Sequence, residues 1–144
     1  MSAQFSDLGI STEILKAITE MGIVTPTEIQ QKTIPLLLSN TTDMVGLAKT
    51  GTGKTAAFGL PLLQLVDTQL PTVQAVILVP TRELGQQIFN NLESFAKYLP
   101  EVSIATVCGG IPIKPQIERL KEPTHMVVAT PGRLIDHLEK GTVN

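Results

Sequence analysis

The sequence has little of what several protein classes require. Its 144 residues include no tryptophan, 3% aromatic residues and one cysteine, Cys108. A single cysteine excludes an internal disulfide or a thiolate metal cluster and is typical of a reducing compartment. No apolar run approaches the roughly 20 residues of a membrane helix. The start of the chain resembles no signal peptide, so we expect a cytoplasmic protein.

The sequence also lacks an excess of positive charge. It has 11 basic and 13 acidic residues and a net charge of −2, so no overall field attracts it to nucleic acid. Nucleic-acid binding must therefore come from local groups. With 42% hydrophobic residues, the chain is predicted to be globular and long enough for one domain.

The most informative stretch has the sequence GLAKTGTGKT, over residues 46–55. The apolar residues 44–47 predict a short buried strand, and the apolar residues 56–60 predict the start of a helix. Strand, glycine-rich loop and helix form the setting of a phosphate-binding loop. Gly51 and Gly53 let successive backbone N–H groups point at an anion, and the helix N-terminus adds partial positive charge.

Two side chains complete the predicted nucleotide site. Lys54 would reach the β- and γ-phosphates, and the Thr55 hydroxyl would bind Mg²⁺. The strict pattern G-x-x-x-x-G-K-[ST] is missed at its first position, where Ala48 replaces glycine. The alternative, a glycine turn before a helix with a solvated lysine, is weaker because G-x-G-K-T is rare by accident.

Two helices are predicted before this loop. Ser11 caps the first, which ends before Gly22. Its apolar side carries Ile14, Leu15, Ile18 and Met21. The second begins at a capping box with Thr25 as N-cap, and we expect Pro35 to break or kink it.

The rest of the chain alternates apolar strands with helices. Strands are predicted over residues 75–79, 102–107 and 126–129, and the first of them is expected to be buried on both faces. The helix after it has a core-facing stripe, formed by Leu84, Ile88, Leu92 and Phe95. The alternation predicts an α/β fold, with a parallel sheet flanked by helices and right-handed crossovers.

The three strands are followed by residues suited to anion binding. The sequences are PTRE at residues 80–83, GG at residues 109–110 and TPGR at residues 130–133. Ligands bind outside the carboxyl ends of such strands. Arg82 and Arg133 fall in first helical turns, where a cation opposes the helix dipole unless an anion binds there too.

A less specific interpretation of these strand ends also exists. Thr81 and Thr130 would be ordinary N-caps, and the two arginines would lie solvated at the rim. Two arginine-bearing ends and a glycine pair at one edge favour instead a track for a phosphate backbone.

Together these motifs resemble the first RecA-like domain of a DEAD-box ATP-dependent RNA helicase, over nearly the whole chain. Phe5 and residues 22–30 are similar to that family's Q motif. Residues 48–55 match its phosphate loop, which also begins with alanine. Its three RNA-contacting motifs in this domain match residues 80–84, 109–110 and 130–133.

The resemblance implies ATP and Mg²⁺ as cofactors, and RNA as a partner bound through phosphates and 2′-hydroxyls with little dependence on sequence. It implies that Gln30 bonds the adenine edge and that Phe5 packs on the base. The implied nucleotide-binding residues are Phe5, Ile23, Thr25, Gln30, Ala48, Lys49, Thr50, Gly51, Thr52, Gly53, Lys54, Thr55 and Ala56, with Lys54 and Thr55 catalytic and Thr55 on the metal. The implied RNA-binding residues are Pro80, Thr81, Arg82, Glu83, Gly109, Gly110, Thr130, Pro131, Gly132 and Arg133.

The sequence departs from the family in two ways. Ile23 stands where the family usually has an aromatic residue that stacks on adenine, so base affinity is expected to be weaker or to depend on Phe5. The implied organisation is a Q-motif region at residues 1–38 and a partial RecA-like domain at residues 39–144. The chain stops before the Asp-Glu-Ala-Asp strand, and it lacks the Ser-Ala-Thr strand and the second domain. We therefore expect a gap in the sheet and no hydrolysis by this chain alone.

These residues are compatible with three functions. The first is part of an RNA-remodelling ATPase, and the second is a non-catalytic nucleotide- or RNA-binding module that ends naturally at Asn144. The third is another phosphate-loop enzyme, such as a DNA translocase or small-molecule kinase. The Q-motif residues, Arg82 and Arg133 argue against the third, and the choice between the first two stays open.

A few remaining residues are expected to be structural. His125 and His137 have no acid or cysteine at metal-ligand spacing. Cys108 is predicted to be a small buried apolar group rather than a nucleophile. The methionines expected in the core are Met21, Met44 and Met126.

Overall fold

The computed structural model describes residues 2–39, 43–49, 51 and 53–144. A 3₁₀ helix covers Phe5–Leu8. The α-helices are α1 (Thr12–Glu20), α2 (Glu28–Ser39), α3 (Lys54–Leu65), α4 (Arg82–Phe95), α5 (Lys114–Leu120) and α6 (Pro131–Lys140). The strands are β1 (Ala75–Leu78), β2 (Ile104–Val107) and β3 (Met126–Ala129).

The chain forms two compact units. The first contains the residues up to Leu65 together with Ser94–Leu99, and the second contains Val66–Glu93 and Pro100–Asn144. The phosphate loop therefore belongs to the first unit and the three strands to the second. None of the described helices is long and apolar enough to cross a membrane.

The second unit is built on a parallel sheet in the order β1-β3-β2. Met126 of β3 is in register with Ala75 of β1 and with Ile104 of β2. The central strand β3 is buried along its whole length, as expected for a parallel strand with a neighbour on each side. The predicted α/β fold with a parallel sheet is confirmed.

The prediction that β1 is buried on both faces is wrong. Ile77 is buried, but Val76 and Leu78 are exposed. Successive side chains of a strand point to opposite faces, so these two share the face opposite Ile77. Within its sheet β1 is an edge strand, bonded only to β3, and an all-apolar strand sequence did not reveal that position.

The prediction of a buried strand over residues 44–47 is also wrong. In the described part of the chain, residues 43–49 have no strand pairing, and Val45 and Leu47 are 87% and 90% exposed. A strand requires a hydrogen-bonded neighbour, and none of the described strands pairs with residues 43–49. Met44 and Met21 are likewise exposed, so only Met126 lies in the core as predicted.

The helix α1 follows its prediction closely. Ile14 and Ile18 are buried, Leu15 is half-buried, and the helix ends before Gly22, which has a φ of +81°. Glycine adopts this left-handed conformation without the steric cost of a Cβ.

The helix α2 differs from its prediction at both ends. It begins at Glu28 rather than directly after Thr25. The reason is that the Thr27 N–H donates a hydrogen bond to the Gln30 side chain, with 2.9 Å between the nitrogen and Oε1. It also continues through Pro35 to Ser39. The helix packs on α3 with Ile34 fully buried, and this burial offsets the roughly 3 kcal/mol that an interior proline costs.

The helix α4 buries most of its predicted stripe. Ile88, Leu92 and Phe95 are buried, whereas Leu84 is exposed in the first turn. Thr81 caps this helix as predicted, since its hydroxyl accepts a hydrogen bond from the Leu84 N–H at 3.2 Å.

Candidate nucleotide and nucleic-acid sites

The phosphate loop ends at the first residue of α3. Gly51 and Gly53 have φ values of +80° and +86°, and the Gly53 carbonyl accepts the Ala57 N–H at 3.1 Å. Gly53 is therefore the N-cap of α3, and the N–H groups of the next three residues have no carbonyl within the helix. These are the donors that a phosphate would use. The loop residues Thr50 and Thr52 lie outside the described residues.

Gln30 connects α2 to this loop. Its Nε2 donates to the Gly53 carbonyl at 3.2 Å, and its Oε1 accepts the Thr27 N–H. The contact is close, because a Cβ built on Gly53 would lie 2.2 Å from the Gln30 Nε2. The Thr27 hydroxyl is buried beside it and has no hydrogen-bond partner among the described residues. The structure therefore brings Gln30 and the glycine-rich loop together.

The other predicted nucleotide-binding residues lie in two places. A cleft of about 500 Å³ lies along the phosphate loop and is lined by Ile29, Lys32, Ala48, Lys49 and Gly51, among others. A separate cleft of about 430 Å³ is lined by Phe5, Ile23 and Thr25, among others. Lys54 is exposed, Thr55 is half-buried and Ala56 is buried. Phe5 itself is buried, so little of its ring is open to a base.

The three strand ends of the second unit meet at one edge of the sheet. The Gly109 N–H donates to the Thr130 hydroxyl at 2.9 Å, and the Thr130 N–H donates to the Val107 carbonyl at 3.3 Å. Thr130 was predicted to cap α6 with its side chain. It occupies the N-cap position, but its hydroxyl makes no cap bond and holds Gly109 instead.

Both predicted arginines bind the loop between β2 and α5. We call residues 109–111 the Gly-Gly loop. Arg82 Nη1 donates to the Gly110 carbonyl at 3.0 Å, and Arg133 Nη1 donates to the Ile111 carbonyl at 2.9 Å. The two side chains differ in exposure, at 45% for Arg82 and 14% for Arg133. Of the two, Arg82 therefore has the side chain that is more open to solvent, and its Nη2 also lies 3.4 Å from the exposed Glu83 Oε1.

Two buried side chains behind the loop were not predicted as functional. Gln116 Nε2 donates to the Cys108 carbonyl at 2.9 Å, and His137 Nε2 lies 2.9 Å from Gln116 Oε1. Burial, followed by the charge of Arg133, lowers the pKa of His137, which keeps the imidazole neutral at pH 7. A polar residue at the helical spacing of Ile113 and Leu120 was the signal in the sequence that could have identified Gln116.

The residues predicted to be structural are bonded inside the protein. His125 is buried, and its Nδ1 accepts the Ser103 N–H at 3.0 Å. Cys108 is buried as predicted, and burial raises the pKa of its thiol. A thiol held protonated is a poor nucleophile.

The fold and the loop define a class of protein before any relative is considered. An α/β unit with a parallel sheet, together with a glycine-rich phosphate loop at a helix N-terminus, is the pattern of phosphate-loop nucleotide-binding proteins. Residues 27–144 match the family described as DEAD/DEAH box helicase. The chain belongs to this family, and its fold corresponds to part of the RecA-like domain.

Comparison with individual proteins agrees. The DEAD-box ATP-dependent RNA helicase CshA of Geobacillus kaustophilus is 46% identical over 139 residues, which are 96% of this chain and 29% of that protein. A DEAD box protein of Methanococcus jannaschii superposes with a TM-score of 0.88 and 41% identity, over 100% of this chain and 39% of that one. Dbp5 of Saccharomyces cerevisiae, solved bound to RNA and ADP BeF₃, gives a TM-score of 0.87 and 30% identity, over 97% of this chain and 35% of that one.

Proposed function

We propose that this chain is the nucleotide-binding and RNA-binding part of an ATP-dependent RNA helicase. The observation that carries the proposal is the hydrogen bond from Gln30 to Gly53, which joins the Q motif to the phosphate loop at the start of α3. The names of similar proteins support RNA and ATP as ligands of the complete protein. Residues 1–38 would form the Q-motif region and residues 39–144 part of the RecA-like domain of a cytoplasmic protein.

The phosphates would be held at the N-terminus of α3. The N–H groups of Lys54, Thr55 and Ala56, which have no carbonyl partner within the helix, and the Lys54 ammonium would supply the positive potential. The hydroxyl of Thr55 is a hard oxygen donor of the kind that Mg²⁺ prefers. Mg²⁺, when bound, neutralises charge on the phosphate oxygens.

The adenine would be recognised by Gln30. A carboxamide has two N–H donors and two acceptor lone pairs, and the protein uses one of each for Gly53 and Thr27. One donor and one acceptor remain, which is the pair that the adenine edge requires. The Gln30 side chain is buried, so the base would bind only when the amide becomes accessible. Binding of the base to Gln30 would thus act directly, through the bond to Gly53, on the loop that holds the phosphates.

RNA would bind at the edge formed by the three strand ends. The N–H groups of Arg82 and Glu83 in α4, and of Gly132 and Arg133 in α6, lie in first helical turns without intrahelical carbonyls. Phosphate groups would accept these bonds, with the Arg82 guanidinium beside them. Contacts of this kind read the backbone, so we expect little dependence on base sequence.

A glycine pair in the complete protein tests the nucleotide site. Gly53→Ala is expected to lower the affinity for ATP roughly tenfold or more. A φ of +86° is sterically unfavourable for alanine, and the added Cβ would collide with Gln30. Gly46→Ala is the matched control, since its Cβ would make only an ordinary contact, 3.6 Å from Ile29. Binding is measured by isothermal titration with ATP and Mg²⁺.

Circular dichroism first establishes that both variants are folded. Equal ATP affinity of Gly53→Ala, Gly46→Ala and the wild type would show that nucleotide does not bind at this loop. The proposal for the loop would then be abandoned.

A further inference from the structure

Behind the Gly-Gly loop lies a chain of buried hydrogen bonds that the proposed nucleotide chemistry does not use. It links four residues, which we call the bracing network: Cys108, Gln116, Arg133 and His137. Gln116 is at its centre, with one partner that follows β2, Cys108, and two partners on α6, Arg133 and His137. Its side chain is buried.

The partners of Gln116 determine how its carboxamide is oriented. The Cys108 carbonyl can only accept, so the group 2.9 Å from it must be the amide nitrogen. The Arg133 guanidinium can only donate, so Gln116 Oε1, 3.2 Å from Arg133 Nη1, must be the carbonyl oxygen. A rotated carboxamide would face a carbonyl with its oxygen and a cation with its N–H groups. The network therefore has one arrangement.

The same logic assigns the tautomer of His137. Its Nε2 lies 2.9 Å from Gln116 Oε1 and must carry the proton. In the neutral imidazole, Nδ1 then accepts from the Thr142 hydroxyl, 2.6 Å away. His137 thus supports Gln116 from the side opposite the loop.

We propose that Gln116 and His137 are positioning residues for the RNA-binding edge, acting through Arg133 and the Cys108 carbonyl to hold the Gly-Gly loop. This inference rests on the proposed RNA binding and adds two residues outside the predicted motifs. Gln116 donates to the carbonyl of Cys108, just before the loop, and Arg133 donates to the carbonyl of Ile111, at its end. The network therefore restrains the chain on both sides of the glycine pair. Arg133 acts as a brace rather than an open phosphate ligand, as its exposure of 14% indicates.

Fixing this loop before binding favours RNA affinity. A polar interface that is already ordered avoids the entropy cost of ordering side chains and loops on association. Gly110 has a φ of +84° and Gly109 lies beside it, so the loop has few steric restraints of its own. The bonds from Arg82, Thr130 and the bracing network replace those restraints.

The test is a double-mutant cycle in the complete protein. Gln116→Met keeps the length of the side chain and removes its hydrogen bonds, and Arg133→Met removes the brace. Each single variant is expected to weaken binding of a labelled single-stranded oligouridine roughly threefold to tenfold, the cost of ordering a released segment. The double variant is expected to bind within about twofold of the weaker single variant, because both changes break one network.

Rescue by a conservative change separates positioning from simple destabilisation. His137→Gln keeps an N–H donor toward Gln116 and is expected to bind RNA like the wild type, whereas His137→Leu is expected to bind as weakly as Gln116→Met. His125→Leu is the control, because it removes a buried histidine bond at the opposite ends of β2 and β3. It is expected to lower the unfolding temperature without weakening RNA binding by the folded protein.

Several outcomes would overturn the inference while the proposed function survives. These are wild-type RNA affinity in Gln116→Met, additive losses in the double variant, or equal affinity of His137→Gln and His137→Leu. If the wild-type protein itself does not bind the oligouridine, the proposed RNA binding fails, and the inference fails with it.

Discussion

Lys54→Ala in the complete protein is expected to abolish RNA-stimulated ATP hydrolysis. Lys54 directly follows Gly53 as the first residue of α3, and its side chain is exposed. Its ammonium can therefore stay in contact with the phosphates as they move during the reaction. Removing a charge that stabilises a phosphoryl-transfer transition state costs about 10²–10³ in turnover. The measurement is steady-state release of phosphate with saturating RNA.

The control for this variant is Lys121→Ala. Lys121 is also an exposed lysine, paired with Glu118 at 2.8 Å on the surface, and an exposed pair of this kind contributes little to stability. Both variants lose one positive charge, so a general charge effect would appear in both. Unchanged turnover in Lys54→Ala would remove the claim that this loop holds the nucleotide.

Arg82→Gln and Arg133→Gln are expected to weaken RNA binding by different routes. The sequence motifs place both arginines among the implied RNA-binding residues. The structure separates them, because Arg82 is 45% exposed and Arg133 is 14% exposed. Loss of one phosphate contact lowers the slope of log affinity against log salt by about 0.7 for a single strand. We expect that change for Arg82→Gln and an unchanged slope for Arg133→Gln.

The measurement is the affinity of each variant for several unrelated RNA sequences, determined over a range of salt concentrations. Both variants should lose affinity equally for every sequence, because the contacts are to the backbone. An equal fall in slope for both variants would contradict the bracing role of Arg133. A loss confined to some sequences would contradict a backbone track.

The parts of the fold that could be predicted from the sequence are those determined locally. Gly22, Thr81 and the β3 strand were placed correctly, because a helix end, a cap and a continuous apolar run each depend on a few adjacent residues. The same holds for Gly51 and Gly53, whose positive φ values are a local conformation that glycine permits.

The predictions that were wrong concern residues whose structure depends on partners far away in the chain. The sequence of residues 44–47 suits a strand, but pairing depends on neighbours that no local pattern supplies. Pro35 is tolerated because of burial against α3, which is a tertiary effect. Thr130 bonds Gly109 instead of capping α6, for the same reason.

The candidate site shows the same division. The motifs marked the three strand ends, and the structure brings them to one edge. Gln116 was missed because its partners lie elsewhere in the chain, after β2 and on α6, and its spacing from Ile113 and Leu120 does not show which groups it bonds. Its burial could be seen only once α5 was placed against β2.

The most direct test of the proposed function is the rate of ATP hydrolysis by the complete protein with RNA, with DNA of the same sequence, and with no nucleic acid. The proposed contacts to 2′-hydroxyls and phosphates predict strong stimulation by single-stranded RNA of any sequence and little by DNA. Equal rates in all three conditions, or stimulation by DNA alone, would contradict the assignment of this chain to an RNA-dependent ATPase.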